Sequence, residues 1–327
     1  MLISRTPLRM SFVGGGSDMS SFYEQDPGAV ISTSIDKYIY IALNKKFGGD
    51  FRVAYSKTEN SPTIDAIEHP IVRESLKFCK IDSGLEIVSL ADIPASGTGL
   101  GSSSSFTVGL LKALYSYQSV KKSNEDLARE ACIIEIDKCA EPIGKQDQYA
   151  AACGGINVFR FLPNGEVVIE PCLVSPKRTA TFNENILMVY TGHTRSASEL
   201  LRVQSRALKE DSTKRRSMTR MVELVDDFKY ELVDGNLTNI GNILDENWRI
   251  KSQLSGDSAS TWINDAYDAA IKAGALGGKI LGAGNGGFFI FYSPKERHEN
   301  IMKCLPGFER FDFSFENLGT KLMIGEV

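Results

Sequence analysis

The chain has 327 residues, of which 42% are hydrophobic, so it is long enough to bury a sizeable core and to form two domains. Its formal net charge is −4, from 37 basic and 41 acidic residues, which gives no overall attraction to nucleic acid or to an anionic membrane. Any anion must therefore be bound locally. No segment resembles a signal peptide or a membrane span, so we expect a cytoplasmic protein without a nucleic-acid or membrane partner.

The first half of the chain mixes predicted strands and helices. Segments rich in β-branched and aromatic residues predict the strands of one sheet: RMSFV, AVISTSIDKYIYIAL, FRVAYS and LEIVSL. A helix is predicted from about Ser103, with apolar residues at helical spacing. A second helix opens at Ser123, where Asp126 three residues on completes a capping box, and it stops before Pro142.

The composition and the predicted secondary structure of the chain change in its second half. A predicted hairpin turning at 163–165 and a buried strand, NILMVYTG, lead into residues 196–254, which are heavily charged and almost wholly helical in pattern. A helix, a pair of strands and a further helix follow. We expect a domain boundary near residue 180, which gives domains 1–180 and 181–327.

A connection built almost entirely of small residues, PASGTGLGSSSS, joins a predicted strand to the helix after it. Glycines let the backbone turn tightly and approach a ligand, and the first N–H groups of a helix have no internal partners. Such a helix start attracts phosphate, with serine hydroxyls as further donors or metal ligands. No lysine follows the last glycine, so this is not a Walker loop. The stretch predicts a polyphosphate cradle, with a plain glycine-rich connection as the alternative; its residues are Pro94, Gly97, Gly99, Leu100, Gly101, Ser102, Ser103 and Ser104.

Two further glycine-rich stretches accompany this one. Near the N-terminus, Arg5 and Arg9 lie on a predicted strand ahead of three glycines and Asp18. Near the C-terminus, KILGAGNGGFFIF places glycines between two apolar, strand-like segments. These features can meet in one cleft, although each alone also fits a turn at a sheet edge.

Two acidic residues, Glu135 and Asp147, stand out as candidate site residues. Glu135 lies among residues that predict a core, and burial of its carboxylate is costly unless it faces a cleft. A surface ion pair of Glu135 with Lys138 or Arg129 is the alternative. Asp147 follows Pro142, where the chain can re-enter the site on a new helix.

The three glycine-rich stretches, in this order, resemble the three motifs of the galactokinase, homoserine kinase, mevalonate kinase and phosphomevalonate kinase family, the GHMP kinases. The resemblance runs from Ile3 to Gly287. It implies an α+β fold of two domains, a mixed α/β domain and a helix-rich one, with the active site in the cleft between them. It also implies ATP and Mg²⁺. Within the family, TPLRMSFVGGGSD, HPIVRESLK, DIPASGTGLGSSSSFTVGLLKALY and EPIGKQDQYAAACGGIN most resemble bacterial D-glycero-D-manno-heptose 7-phosphate kinases, which phosphorylate an anomeric hydroxyl.

The resemblance assigns roles to individual residues. Glu135 matches the family's metal-ligand glutamate, and Ser103, or its neighbour Ser104, matches the serine that binds magnesium with it. Asp147 matches the catalytic aspartate. Arg9 matches a motif-one arginine near that aspartate, where a cation favours the ionised carboxylate.

The predicted sugar pocket departs from that of galactokinases. Asp18 matches the acid that hydrogen-bonds sugar hydroxyls in sugar kinases of the family. Galactokinases have Glu-His before Thr-Asp, whereas this chain has two glycines before Ser17, which removes two polar side chains and argues against galactose. The resemblance therefore implies a different sugar, and the predicted substrate-binding residues are Gly15, Gly16, Ser17, Asp18, Lys145, His193, Arg195 and Gly284.

A substrate that already carries a phosphate needs a second anion site. Arg195 lies where a helix begins, so its guanidinium and the N–H groups there can act together, with His193 close by. A capping role on the helix surface is the alternative for Arg195, and Lys145 is another candidate cation. Two other functions stay open: a 1-kinase for an unphosphorylated sugar such as fucose, and a non-catalytic sugar or nucleotide sensor on the same fold. A homodimer is compatible with the sequence.

Overall fold

The structure is a computed structural model that describes residues 1–82, 84–94, 97–193, 197–254, 261–282 and 286–324. Strands within these ranges are β1 (Leu2–Val13), β2 (Gly28–Lys45), β3 (Phe51–Ala54), β4 (Thr58–Ser61), β5 (Leu85–Ala91), β6 (Ile156–Phe161), β7 (Val167–Pro171), β8 (Ile186–Tyr190), β9 (Gly277–Ile280), β10 (Phe288–Tyr292), β11 (Glu309–Arg310), β12 (Phe315–Glu316) and β13 (Lys321–Ile324).

The helices in the same ranges are α1 (Ser20–Tyr23), α2 (Pro70–Phe78), α3 (Ser102–Tyr117), α4 (Asn124–Cys132), α5 (Gln146–Cys153), α6 (Pro176–Glu184), α7 (Ala197–Glu210), α8 (Ser212–Val233), α9 (Asn239–Leu254), α10 (Thr261–Lys272) and α11 (His298–Lys303). A π-helical turn, Ile133–Lys138, continues α4, and short 3₁₀ turns lie at Ile64–Ala66 and Lys295–Arg297. The predicted α+β class is confirmed. No helix in the described ranges is both long and apolar enough to cross a membrane.

The larger sheet is built around the long antiparallel pair β1 and β2. Its order is β13-β1-β2-β5-β3-β4, and β6 and β12 pair with β2 while β7 pairs with β6. Helices cover β1, which is why most of its residues are buried on both faces. A smaller sheet has the order β11-β8-β10-β9.

Helix α3 lies close against β1. A Cβ at Gly109 in the middle of this helix would come within 2.7 Å of Thr6 Oγ1, so the close approach needs a glycine. The capping box predicted for α4 is present, since the Ser123 hydroxyl accepts from the Asp126 N–H. Helix α3 thus lies against β1, and the π-helical turn packs on α3.

The main core joins the two halves of the chain. Phe12 of β1 lies 5.2 Å, between ring centroids, from both Phe182 and Phe228, which belong to α6 and α8. β12 and β13, from the end of the chain, pair with β2 and β1. Residue 180 lies inside α6. The boundary near residue 180 stays a prediction, and the sheet of the first half includes strands from the second.

Candidate active site

The predicted phosphate loop is a tight connection that leads directly into α3. Gly97, Gly99 and Gly101 have φ angles of 73°, 79° and 74°, which glycine adopts without strain. Gly101 is the N-cap of α3 and supplies no side chain to cap it, so the first N–H groups of the helix remain available to a ligand. Leu100 is fully buried, and its carbonyl accepts from the Arg9 N–H at 3.1 Å, which fixes the loop on β1.

The third glycine-rich stretch packs against this loop, backbone to backbone. A Cβ at Gly99 would lie 2.4 Å from the Leu281 carbonyl oxygen, and one at Gly282 would lie 2.6 Å from the Gly99 Cα. A Cβ at Gly287 would lie 2.4 Å from the Thr98 carbonyl oxygen. The two stretches therefore meet as predicted, at a distance that side chains would prevent. Gly284 lies outside the described residues.

Arg9 and Asp147 form an ion pair beside the phosphate loop. Arg9 Nε and Nη2 donate to the two carboxylate oxygens of Asp147 at 2.6 and 2.7 Å, and Nη1 donates to the Gly99 carbonyl at 2.6 Å. The Asp147 side chain is 24% exposed, whereas that of Arg9 is 5% exposed. The structure thus brings together the two residues predicted for catalysis, with the carboxylate on the accessible side.

Arg5 does not join this site, so the expectation that both arginines meet in the cleft is wrong for Arg5. It pairs with Glu316 at 3.2 Å and stacks over the Tyr38 ring at 4.1 Å. Four residues of extended strand separate the two arginines by about 13 Å. A shift of register between Pro7 and Leu8 also changes the side-chain alternation along β1.

Glu135 is fully buried within the π-helical turn and faces the start of α3. Its carboxylate accepts from Ser103 Oγ and from Gln148 Nε2, both at 2.7 Å. Burial raises the pKa of Glu135 to about 7, against the opposing effect of hydrogen bonds from Ser103, Gln148 and Ser104. A surface ion pair with Lys138 or Arg129 is therefore wrong, because the carboxylate points inward.

The Ser103 and Glu135 pair has the donor chemistry that Mg²⁺ uses with a nucleotide. Among the described residues there is no cluster of three or more His, Cys, Asp or Glu side chains that could hold a metal alone. Mg²⁺ in phosphoryl-transfer sites is held by one or two carboxylates together with phosphate oxygens and water, rather than by an all-protein cage. One buried carboxylate and one hydroxyl at the phosphate loop fit that pattern.

Asp18, the acid predicted to bind the sugar, is held by a residue that the sequence analysis missed. The buried Asp18 carboxylate accepts from the Gly16 N–H at 3.0 Å, and from the backbone N–H and Nε2 of Gln146 at 3.1 and 3.0 Å. Burial raises the pKa of Asp18, which these backbone hydrogen bonds oppose. Gln146 Oε1 is buried and has no hydrogen-bond partner in the described part of the chain. The only signal for Gln146 was its position next to Asp147.

The other predicted substrate residues have separate contacts. Ser17 Oγ donates to the Gly14 carbonyl and holds the first glycine loop. The Lys145 N–H donates to the Asp18 carbonyl at 3.3 Å, while its Nζ donates to the Gly165 carbonyl. His193 is exposed, its ring lies 5.1 Å from that of Trp262, and its carbonyl accepts from the third glycine stretch. Arg195 lies outside the described residues.

Two buried lysines near the glycine loops were also missed. Lys251 Nζ on α9 donates to the Gly282 carbonyl at 2.8 Å, and Lys279 Nζ on β9 donates to the Ser11 carbonyl at 2.9 Å. Burial lowers the pKa of both, that of Lys251 to about 8. A signal existed for Lys251, because it continues the buried face that Ile240 and Leu244 begin at helical spacing.

An aromatic cluster lies beside the second turn of α3, the helix that follows the phosphate loop. His69 stacks on Phe106, in the second turn of α3, with ring centroids 5.0 Å apart, and Tyr55 meets His69 edge-on at 4.7 Å. Burial lowers the pKa of His69, so the ring is neutral near pH 7, and its Nδ1 has no hydrogen-bond partner in the ranges described.

Comparison with known proteins identifies the family. The GHMP kinases N terminal domain matches residues 65–155, and the GHMP kinases C terminal domain matches residues 228–307. A D-glycero-alpha-D-manno-heptose 7-phosphate kinase from Campylobacter jejuni is 28% identical over 97% of this chain and 97% of its own length. A bifunctional fucokinase/GDP-fucose pyrophosphorylase from Arabidopsis thaliana is 26% identical over 95% of this chain and 32% of its own length.

A solved structure shares the whole fold. The crystal structure of a D-glycero-D-manno-heptose 1-phosphate kinase from Bacteroides thetaiotaomicron matches with a TM-score of 0.82 over 100% of both chains, at 24% identity. The predicted GHMP kinase fold is thereby confirmed. Two matched domains, the shared fold and the order of the three glycine-rich stretches agree. The chain belongs to the GHMP kinases, the family of ATP-dependent phosphotransferases.

Proposed function

We propose that this kinase is a sugar 1-kinase, which transfers the γ-phosphoryl group of ATP to the anomeric hydroxyl of D-glycero-D-manno-heptose 7-phosphate and gives the 1,7-bisphosphate. The observation that carries the proposal is the Arg9–Asp147 pair, which lies between the phosphate loop and the Asp18 pocket. A Cβ at Gly101 would lie 3.3 Å from Asp147 Oδ2, so the carboxylate adjoins the loop. The heptose kinase of C. jejuni, similar over nearly its whole length, supports the choice of sugar.

Asp147 is the residue that accepts the proton of the attacking hydroxyl. Proton transfer requires a carboxylate that is held in place, and the two hydrogen bonds from Arg9 hold it. The first N–H groups of α3 bind phosphate oxygens, as helix starts do elsewhere.

The metal in this proposal is Mg²⁺, with Ser103 and Glu135 as its protein ligands. When bound, it neutralises charge on the phosphates during transfer. Ser103 and Glu135 already lie within hydrogen-bond distance, so the chain holds the two oxygens together.

The aromatic cluster is proposed to bind the adenine ring of ATP. Tyr55, His69 and Phe106 offer ring faces and edges close to the start of α3.

The sugar is proposed to lie over Asp18 and Gln146. Gln146 Oε1 lies 3.9 Å from the point where a Cβ of Gly15 would be, so the glycine leaves open the space that this oxygen faces. A sugar hydroxyl can donate to Gln146 Oε1 and to Asp18, which together favour a polyhydroxylated acceptor.

A cleft beside this pocket supports an acceptor that carries its own phosphate. It has a volume of about 400 Å³ and lies between α7 and the segments around Met19 and Pro142. Its lining includes three cationic side chains of α7, Arg202, Arg206 and Lys209. It also includes two acidic side chains, Glu141 and Glu210. Arg206 and Glu210 pair at 4.0 Å, and the cationic residues of the cleft exceed the acidic ones by one, which favours a phosphate group.

The proposal is tested by incubating the protein with ATP, Mg²⁺ and a panel of sugars and sugar phosphates, and identifying the products by phosphorus NMR. A 1-phosphoryl product formed from the heptose 7-phosphate, at a higher kcat/KM than from any free sugar, is expected. The fucokinase similarity makes fucose the main competitor in the panel. Preferential phosphorylation of fucose, or transfer to a hydroxyl other than the anomeric one, would refute the proposal.

The phosphate cleft has its own test in the same assay. Arg202→Ala should raise KM for the heptose 7-phosphate about tenfold or more, and leave KM for the unphosphorylated heptose within about twofold. Equal effects on both acceptors would remove the cleft from the substrate site. A homodimer and a cytoplasmic location stay predictions.

A further inference from the structure

Lys251 is a buried cation at the junction of two glycine-rich loops, and no role has yet been assigned to it. The residue is 6% exposed on α9. Its Nζ donates to the Gly282 carbonyl at 2.8 Å and lies 4.0 Å from the position that a Cβ of Gly15 would occupy. Lys251 therefore reaches the first and the third glycine-rich stretches at once.

A closed ring of contacts places Lys251 at the reacting centre. From Lys251 the ring runs through Gly282 to Gly99, against which Gly282 packs, and Gly99 accepts from Arg9. Arg9 binds Asp147, whose neighbour Gln146 lies 3.6 Å from the Gly15 position. The Cβ position of Gly15 lies 4.0 Å from Lys251 Nζ, and this contact closes the ring. These contacts connect Lys251 to the Arg9–Asp147 pair and to the Asp18–Gln146 pair.

Arg9 is already committed within this ring. Its Nε and Nη2 atoms hold the Asp147 carboxylate, and its Nη1 atom holds the Gly99 carbonyl. Phosphoryl transfer spreads negative charge over the oxygens of the moving group, which needs cations aimed at that group. In the described part of the second half, Lys251 is a cation that lies beside the first and third glycine-rich stretches.

Burial of the ammonium group also has a desolvation cost. The charged groups that act on it are Arg9 on β1, Lys279 on β9, Asp18 in the first glycine loop and Asp147 on α5. The two cations disfavour the ammonium, and the two carboxylates favour it. An apolar side chain of similar length would fill the position without desolvating a charge.

Resting on the proposed kinase function, we propose that the Lys251 ammonium contacts the phosphoryl group during its transfer and stabilises the charge that develops there. The acceptor oxygen bonds to the γ-phosphorus as the bond from that phosphorus to the bridging oxygen breaks. ADP leaves with the electron pair, and Asp147 takes the hydroxyl proton. Lys251 keeps its protons throughout.

Three substitutions at Lys251 separate its charge from its hydrogen bond to Gly282. Lys251→Gln keeps an N–H donor but has no charge, Lys251→Met has neither, and Lys251→Arg keeps both. The matched control is Arg249→Met on the same helix, since the Arg249 side chain is 62% exposed and pairs with Asp245. Each variant is assayed for kcat, for KM of both substrates and for melting temperature, with the acceptor that the unaltered protein phosphorylates best.

We expect kcat to fall about 100-fold in both Lys251→Gln and Lys251→Met, the scale found when a group that stabilises transition-state charge is removed. KM for ATP should stay within about threefold, and Lys251→Arg should recover about a tenth of the activity or more. The kcat of Arg249→Met should stay within about twofold of that of the unaltered protein.

A structural role would give a different pattern. Full activity in Lys251→Gln would show that only the hydrogen bond to Gly282 matters, and would overturn the proposal; it decides the question even if Lys251→Met fails to fold. A kcat of Lys251→Met within about threefold of that of the unaltered protein would also overturn the proposal. If the best acceptor is not the heptose 7-phosphate, the proposed substrate fails, while the comparison of variants on that acceptor still tests Lys251.

Discussion

The Arg9 guanidinium donates to both carboxylate oxygens of Asp147, at 2.6 and 2.7 Å, and holds that carboxylate beside the phosphate loop. A pair of parallel hydrogen bonds fixes the orientation of the carboxylate. Asp147→Asn keeps the shape of the side chain but loses its basicity. Turnover should therefore fall about 10²- to 10⁴-fold while the Kd for ATP stays near that of the unaltered protein, which steady-state rates and calorimetry measure.

Two outcomes would contradict this assignment of Asp147. Turnover that survives within a few fold would mean that proton removal does not limit the rate or belongs to another group. A collapse of ATP binding would instead make Asp147 a metal ligand, and the roles given to Asp147 and Glu135 would then be exchanged.

Glu135→Gln tests the metal site. Glutamine can fill the space and keep hydrogen bonds near Ser103 and Gln148, but it replaces an anionic ligand by a neutral one. We expect a severe loss of turnover and a rise in the Mg²⁺ concentration needed for half-maximal rate, measured by titrating Mg²⁺ at fixed ATP. The control is Asp137→Asn, an exposed carboxylate of the same π-helical turn. Unchanged Mg²⁺ dependence in Glu135→Gln would remove Glu135 from the site.

The features that the sequence predicted well are those set by local chemistry. The capping box at Ser123 needs only Asp126, three residues away, and the hairpin between β6 and β7 needs only its turn residues. The start of α3 follows from glycines with positive φ ahead of a helical run. In each case the determining residues are neighbours in the chain, so the pattern is visible without the fold.

The features that were missed depend on distant partners. β13 pairs with β1 across the length of the chain, and its four residues carry no pattern of their own. The π-helical turn that points Glu135 inward has no signature in its side chains. The helical spacing of Lys251 from Ile240 and Leu244 indicates a buried face, but only the packing of α9 against the glycine loops shows which groups Lys251 meets. The position of Arg5 was predicted wrongly because the sequence does not reveal the register shift in β1, which changes how side chains alternate between the two faces of the strand.

Gly101→Ala tests the phosphate loop against a matched control. At Gly101 φ is 74°, and an added Cβ would lie 3.1 Å from Arg9 Cγ and 3.3 Å from Asp147 Oδ2. Gly49 also has a positive φ, of 84°, but an added Cβ there would meet nothing within 4 Å. Both alanines should cost about 1 kcal/mol of stability from backbone strain. Only Gly101→Ala should also weaken ATP binding, and equal ATP affinities in the two variants would count against the loop.

Burial of Lys251 predicts a pH dependence of stability that the Met variant should lack. Its pKa falls from 10.5 to about 8 in the folded protein. Below pH 8 the folded state retains a buried ammonium, and between pH 8 and 10.5 it loses that proton while the unfolded chain keeps it, so stability rises with pH in this window. At 1.36 kcal/mol per pKa unit the rise amounts to about 3 kcal/mol.

Comparison of two proteins isolates this contribution. The free energy of unfolding, from urea titrations of the unaltered protein and of Lys251→Met at pH 7 and pH 10, contains nearly the same terms for every other titrating group, and these cancel in the difference. The difference between the Met variant and the unaltered protein should be most favourable to Met at pH 7. It should shrink towards pH 10, because the unaltered protein no longer keeps a desolvated charge. A difference that stays constant across this range would mean that the Lys251 ammonium is as well solvated in the fold as in the unfolded chain.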